Sequence, residues 1–87
     1  MSFKVKSEIV AEKTAMRDAF CSTLIEMAKK DDRICLLDAD LMGAMGTKPF
    51  LKEFPDRAID CGIQEANMVG VAAGLAAQGK IPFAHTF

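Results

Sequence analysis

The chain has 87 residues, enough for one small domain or part of a larger one, and a domain of that size buries a modest share of its surface. Lys and Arg number 11 and Asp and Glu 12, a net charge of −1, which excludes the basic field that nucleic-acid binding needs. Hydrophobic residues make up 51%, without Trp or Tyr, so either the core is tight or some apolar surface awaits a partner.

Residues 1–13 are mixed and polar and read as an N-terminal arm, without the apolar run of a signal peptide. Thr14 is placed to cap a helix that runs to about Lys30. Met16, Phe20, Leu24 and Met27 recur on one face of it, and Lys29 and Lys30 suit its carboxyl end. Residues 33–38, RICLLD, form a short apolar run, the pattern of a buried parallel strand. Residues 39–47 read as a loop punctuated by Gly43 and Gly46. Residues 49–54 allow one or two helical turns, stopped by Pro55. A second strand follows at 57–61, Gly62 turns the chain, and a helix spans about 64–78 with Gly79 closing it. Residues 81–87 read as a third strand, with Pro82 near its start. Strands alternating with helices give an α/β fold, a parallel sheet flanked by helices. The chain ends in or just after a strand, so part of a larger module is expected.

Cys21, Cys35 and Cys61 form no C-x-x-C pair and no zinc pattern with His85. Buried free thiols in a reducing compartment are the simplest reading. The near-uncharged segment 66–79 is shorter than the roughly 20 residues a bilayer span needs. A soluble, cytoplasmic chain without membrane or nucleic-acid partners is expected.

In open α/β sheets, ligands lie beyond the carboxyl ends of the strands. Asp40, Glu65 and Phe87 follow the three predicted strands and are expected on one rim. An acid in a first helical turn often does no more than complement the dipole. Glu65, however, is the only charge between Asp60 and Lys80. A helix apolar all round is a buried helix, and Gly70 and Gly74 would admit another backbone closely. Each glycine costs about 1 kcal/mol relative to Ala, which close packing would offset. A carboxylate at the mouth of such a helix is poorly hydrated, which favours its protonated form. The glycines lie inside the helix, not at its start, which argues against a P-loop. Asp38 and Asp40, lacking His or further acids, suit turn chemistry better than a metal pair. The six Met suit core filling.

The run Gly62-Ile63-Gln64-Glu65-Ala66-Asn67-Met68, the small-residue helix and the strand ending Thr86-Phe87 resemble the glutamate-bearing segment of the transketolase family. Upstream, LLDADL resembles that family's strand and Ala-Asp-Leu loop, and Met16-Arg17 fits its helix arginine. The resemblance covers residues 14–87 and implies the first part of a pyrimidine-binding module, in a split transketolase or a longer one. It implies thiamine diphosphate as cofactor, with Glu65 hydrogen-bonded to the ring nitrogen of the aminopyrimidine. Sharing that proton would favour the imino tautomer and let the exocyclic nitrogen deprotonate the thiazolium carbon. Phe87 would stack on the pyrimidine, Leu41 would touch the ring region, and Asp40 would orient its loop near the cofactor. Arg17 would hold the phosphate of a sugar-phosphate substrate; the residues alone favour pairing with solvent or an acid on the surface. His85 is read as a strand-end residue.

The resemblance has gaps. The family's Asp-Leu-x-x-Ser here reads Asp40-Leu41-Met42-Gly43-Ala44, without the phosphate-binding hydroxyl. The Gly-Asp-Gly motif that goes with Mg²⁺ and diphosphate is not in this sequence, which implies that a partner subunit or module holds them. The expected activity is transfer of a two-carbon ketol unit between sugar phosphates by a homo- or hetero-oligomer, with the 87-residue chain alone inactive. A deoxyxylulose phosphate synthase, a beta chain of a 2-oxo-acid dehydrogenase, or a non-catalytic interaction module would share the fold. The Gln-Glu-Ala-Asn-Met spelling favours transketolase.

Overall fold

The computed structural model describes residues 2–5 and 8–87. Helix α1 (Met16–Lys30) leads into strand β1 (Ile34–Asp38), followed by helices α2 (Met42–Met45) and α3 (Lys48–Glu53). Strand β2 (Ala58–Asp60), helix α4 (Glu65–Ala77) and strand β3 (Ile81–Ala84) complete the chain. The sheet has the order β2-β1-β3, and β1 is parallel to both neighbours. The parallel α/β fold read from the sequence is the fold observed.

All five residues of β1 are buried, as its apolar run requires. Because side chains alternate along a strand, β1 feeds two cores. Ile34 and Leu36 pack with Cys21, Leu24 and Ala28 of α1 and Phe50 of α3. Cys35 and Leu37 pack with Ala39 and Met68, and with Val71, Ala72 and Leu75 of α4. Helices α1 and α3 therefore cover one face and α4 the other.

Four expectations are corrected. Ala15, not Thr14, is the N-cap of α1, and no side chain caps it; the backbone is extended at Ala15, which leaves Thr14 one residue outside. The buried stripe of α1 is Cys21, Leu24 and Ala28, while Met16 and Met27 are exposed. Small side chains let the helix approach the sheet, and the longer Met residues lie to the side. Residues 42–45 form a helical turn in the segment read as loop. Only Gly46, at φ 71°, needs glycine's freedom there; Gly43 sits inside the turn.

The fourth correction concerns α4. It was expected to be buried all round, yet only Met68 is fully buried. A Cβ added at Gly70 or Gly74 would meet nothing within 4 Å. A three-stranded sheet is about 10 Å across, the width of one helix, so it covers one stripe of α4 and leaves the rest bare. Gly79 ends the helix as expected, at φ 88°. Its N–H donates to Ala76 O and that of Lys80 to Leu75 O, both at 3.0 Å, the two bonds of a Schellman motif.

Arg57 fastens the amino edge of the sheet. Its Nε donates to Ile34 O at 2.8 Å, and one Nη donates to Ala28 O and Asp31 O at 3.0 and 2.8 Å. The guanidinium also lies 4.4 Å from the centre of the Phe54 ring. It thus satisfies carbonyls at the end of α1 and the start of β1 together. Arg57→Ala should lower stability by about 2–3 kcal/mol, measured by chemical denaturation. Arg57→Lys should recover only part of this, because an ammonium lacks the planar fork.

Candidate functional site

The three strands end level with one another. Asp38 pairs with Asp60 and Leu37 with Ala84, so the loops bearing Asp40, Glu65 and Phe87 leave from one edge of the sheet. Asp60, which sequence reasoning passed over, ties two of those loops together. One oxygen, Oδ1, accepts the N–H of Asp40 and the N–H of Gly62, both at 2.9 Å. The Asp-x-Gly spacing at a strand end was the available signal. Asp40 is held at φ 61°, a left-handed conformation that Asp tolerates better than most residues. Gly62, at φ 73°, makes the turn toward Glu65.

Asp38 is fully buried. Its Oδ2 accepts the N–H of Leu41 at 3.2 Å, while its Oδ1 has no partner among the described residues. Burial pushes the Asp38 carboxyl above its ordinary range, the nearby Asp60 charge adds to this, and the Leu41 and Asp40 N–H groups oppose it. The turn reading of Asp38 and Asp40 accords with this geometry: both serve to shape the loop. Leu41, half-buried, is the N-cap of α2. Burial raises the Cys61 thiol, reinforced by Asp60 and Asp38, so it is poorly suited to act as a thiolate.

Glu65 is the first residue of α4 and is exposed. Phe87 is 82% exposed. Poor hydration of Glu65 was expected from a buried helix; in this chain that shielding is missing, because α4 has no second layer over it. No hydrogen bond or ion pair among the described residues joins Glu65 to Asp40, Leu41 or Arg17. Arg17 instead meets α2. Its Nη1 donates to Ala44 O at 3.0 Å, and it lines a cavity of about 390 Å³ with Met16, Phe20, Met45 and His85. Among the described residues, no three His, Cys, Asp or Glu side chains gather as a metal site, and no helix is long and apolar enough to cross a membrane.

The sequence pattern of the family described as the pyrimidine-binding domain of transketolase matches residues 12–87. The chain belongs to that family. It is 58% identical over 80 residues to a 6-deoxy-6-sulfo-D-fructose transketolase subunit of Clostridium sp. (strain MSTE9), covering 92% of this chain and 25% of that protein. It is 40% identical over 79 residues to transketolase of Homo sapiens, covering 90% of this chain and 13% of that one. A solved structure titled a split gene transketolase, an inactive beta4 tetramer, superposes with a TM-score of 0.73 at 48% identity. That match covers 82% of this chain and 24% of the other. The chain thus spans about a quarter or less of the length of these relatives.

Two predictions follow from the rim. Asp60→Ala removes the acceptor of two charge-assisted bonds and should cost about 1–2 kcal/mol. Asp60→Asn, which keeps an acceptor oxygen, should cost less; denaturant midpoints compare them. Asp38 has a raised folded-state pKa, so the native state keeps its proton where the unfolded chain has lost it. Stability from this group is therefore full below about pH 4 and declines as pH rises through the folded pKa. Asp38→Asn should match wild type near pH 4 and gain on it toward pH 8, read as the difference in Tm across that range.

Proposed function

We propose that this chain supplies the glutamate-bearing part of a thiamine-diphosphate site in a transketolase assembled from more than one subunit or module. The reaction is transfer of a two-carbon ketol unit from a ketose to an aldose, each ending in an oxyanion. One observation carries the reading: the only charged residue of α4, Glu65, opens that helix at the carboxyl edge of the sheet, where it has no partner among the described residues.

The residues present fit an aminopyrimidine. A flat exposed ring at Phe87, an unpartnered acid at Glu65 and a half-buried Leu41 all leave from one edge. When bound, thiamine diphosphate supplies the electron sink for breaking the carbon–carbon bond beside a ketone. Glu65 holds a proton at a carboxyl oxygen for the ring nitrogen. Leu41 presents an apolar surface, and the Asp60 clasp fixes the Asp40 loop beneath it. Arg17, with donors to spare beyond Ala44 O, binds the oxyanion of the substrate. Mg²⁺ and the diphosphate are assigned to the partner module.

One feature supports an oligomer. The bare faces of α4 include Val69, 62% exposed, together with the small residues Ala66, Gly70, Ala73 and Gly74. A second subunit on that surface would both cover the helix and shield Glu65. The named activity of the Clostridium relative brings a sulfonated ketose into the substrate range, and Ala44 leaves the oxyanion without a hydroxyl at that position.

The test is reconstitution of the complete subunit with its diphosphate-binding partner and cofactor. Glu65→Gln should lower kcat by about 10²- to 10⁴-fold, with cofactor affinity measured alongside. Equal turnover by wild type and Glu65→Gln would refute the role of the acid. No turnover in wild type would point to a non-catalytic module. The 87-residue chain alone should show no turnover.

A further inference from the structure

Asp38 Oδ1, Thr47 Oγ1 and both ring nitrogens of His85 are buried, and none has a hydrogen-bond partner among the described residues. Buried polar atoms are rarely left so, and the sheet brings these together. Leu37 pairs with Ala84 in the parallel ladder, and the His85 N–H continues it by donating to Leu37 O at 3.1 Å. Asp38 and His85 are therefore the next neighbours across the two strands, whose spacing is about 4.8 Å. They also share a face, because side chains alternate along a strand. Ile34 and Leu36 of β1, with Ile81 and Phe83 of β3, belong to the core under α1 and α3, and Asp38 and His85 extend those two rows. The His85 ring accordingly lies beside Phe20 of α1, with centroids 5.9 Å apart. Thr47 closes the same layer from above, three residues before Phe50 of that core.

The two groups are chemically matched. Burial pushes the Asp38 carboxyl above its ordinary range, Asp60 adds to this, and the Leu41 and Asp40 N–H groups oppose it. Burial pushes the His85 imidazole below its ordinary pKa. A carboxyl that resists losing a proton thus stands beside a ring that resists gaining one, and the acid's O–H meets a ring nitrogen able to accept it. The surrounding charges leave this pairing open. Asp60 of β2 and Asp40 add negative charge on the Asp38 side, which keeps the proton in place. Arg17 of α1 lines the cavity beside His85 and donates to Ala44 O. Asp18 of α1 and Lys48 of α3 extend toward Gly46 and Gly43, and α2 contributes the uncharged Met45.

We propose that Asp38 and His85 form a buried cross-strand pair that holds one proton in common, between Asp38 Oδ1 and a ring nitrogen brought to it by rotation of the imidazole. Asp38 Oδ2 already accepts the Leu41 N–H, and His85 lies two residues before Phe87. The pair therefore ties the turn at Leu41 to the chain leaving β3, as Asp60 ties the loops that follow β1 and β2. Asp38 and His85 are then positioning residues of the rim. Their pairing does not depend on the reaction proposed above and is tested without turnover.

The test is a pH titration of the His85 ring nitrogens by NMR in the complete subunit, comparing wild type with Asp38→Asn. Two groups that share a proton titrate as a unit once they interact by more than about one pK unit. The last proton of the wild-type pair should therefore leave at least about one pH unit above the point where His85 loses its proton in Asp38→Asn. Asp60→Asn removes a nearby charge and keeps the pair, so it should leave the coupled titration in place. Thermal unfolding gives a second readout. Stranding one buried partner costs more than replacing both with apolar groups, so the Tm loss of the double variant Asp38→Leu, His85→Phe should be smaller than the two single losses added. The same His85 titration in wild type and Asp38→Asn would overturn the pairing, as would equal shifts in Asp38→Asn and Asp60→Asn. Strictly additive Tm losses would overturn it too; should the apolar variants fail to fold, the titration of Asp38→Asn decides alone.

Discussion

Everything in this chain is arranged around the burial of β1. A strand flanked by parallel neighbours and covered on both faces must be apolar throughout, and Ile34, Cys35, Leu36 and Leu37 meet that demand. Its alternating side chains divide the helices between two faces. Parallel pairing on both sides then brings the three strands to a common carboxyl edge. The rim is therefore a consequence of how the core is built. Asp38 is where the two meet, as the last residue of β1 and a fully buried carboxyl whose Oδ2 takes the first N–H of the α2 turn.

Across that edge, the precision of the site comes from backbone donors more than from side-chain pairs. Asp60 accepts from two loops at once, so the positions of Asp40 and of the turn before Glu65 are not independent. The left-handed Asp40 and Gly62 are the two places where the chain changes direction, and the clasp falls on both. At the opposite edge, the Arg57 fork does the same for α1 and β1. Two polar fasteners, one at each end of the strands, hold a sheet too small to be fixed by hydrophobic area alone.

The order of strands and helices was legible because apolar runs, glycines and prolines mark it locally. The placement of Asp40, Glu65 and Phe87 on one rim was legible too, because topology alone dictates it. What could not be read was anything set by partners distant in sequence. Asp60 and Gly62 advertise a turn, but not that the same oxygen reaches Asp40. His85 looked like a strand end, and only the fold brings its ring into a cavity with Arg17. The stripe of α1 was misjudged because side-chain hydrophobicity favoured Met16 and Met27, whereas close approach to the sheet favoured Cys21 and Ala28. The burial of α4 was misjudged for a related reason. Composition reports what a helix is suited to touch, not whether one chain provides the surface that touches it.

That last point bears on the chemistry. Glu65 in this chain is exposed. On the reading proposed above, whatever covers the bare faces of α4 also closes over the mouth of the same helix. Gly70 and Gly74 fit this account. Nothing inside the chain occupies the space they leave, and their cost to the helix of about 1 kcal/mol each is offset only if another backbone comes close. On that reading, Glu65 stands at an edge that becomes an interior when a second surface arrives.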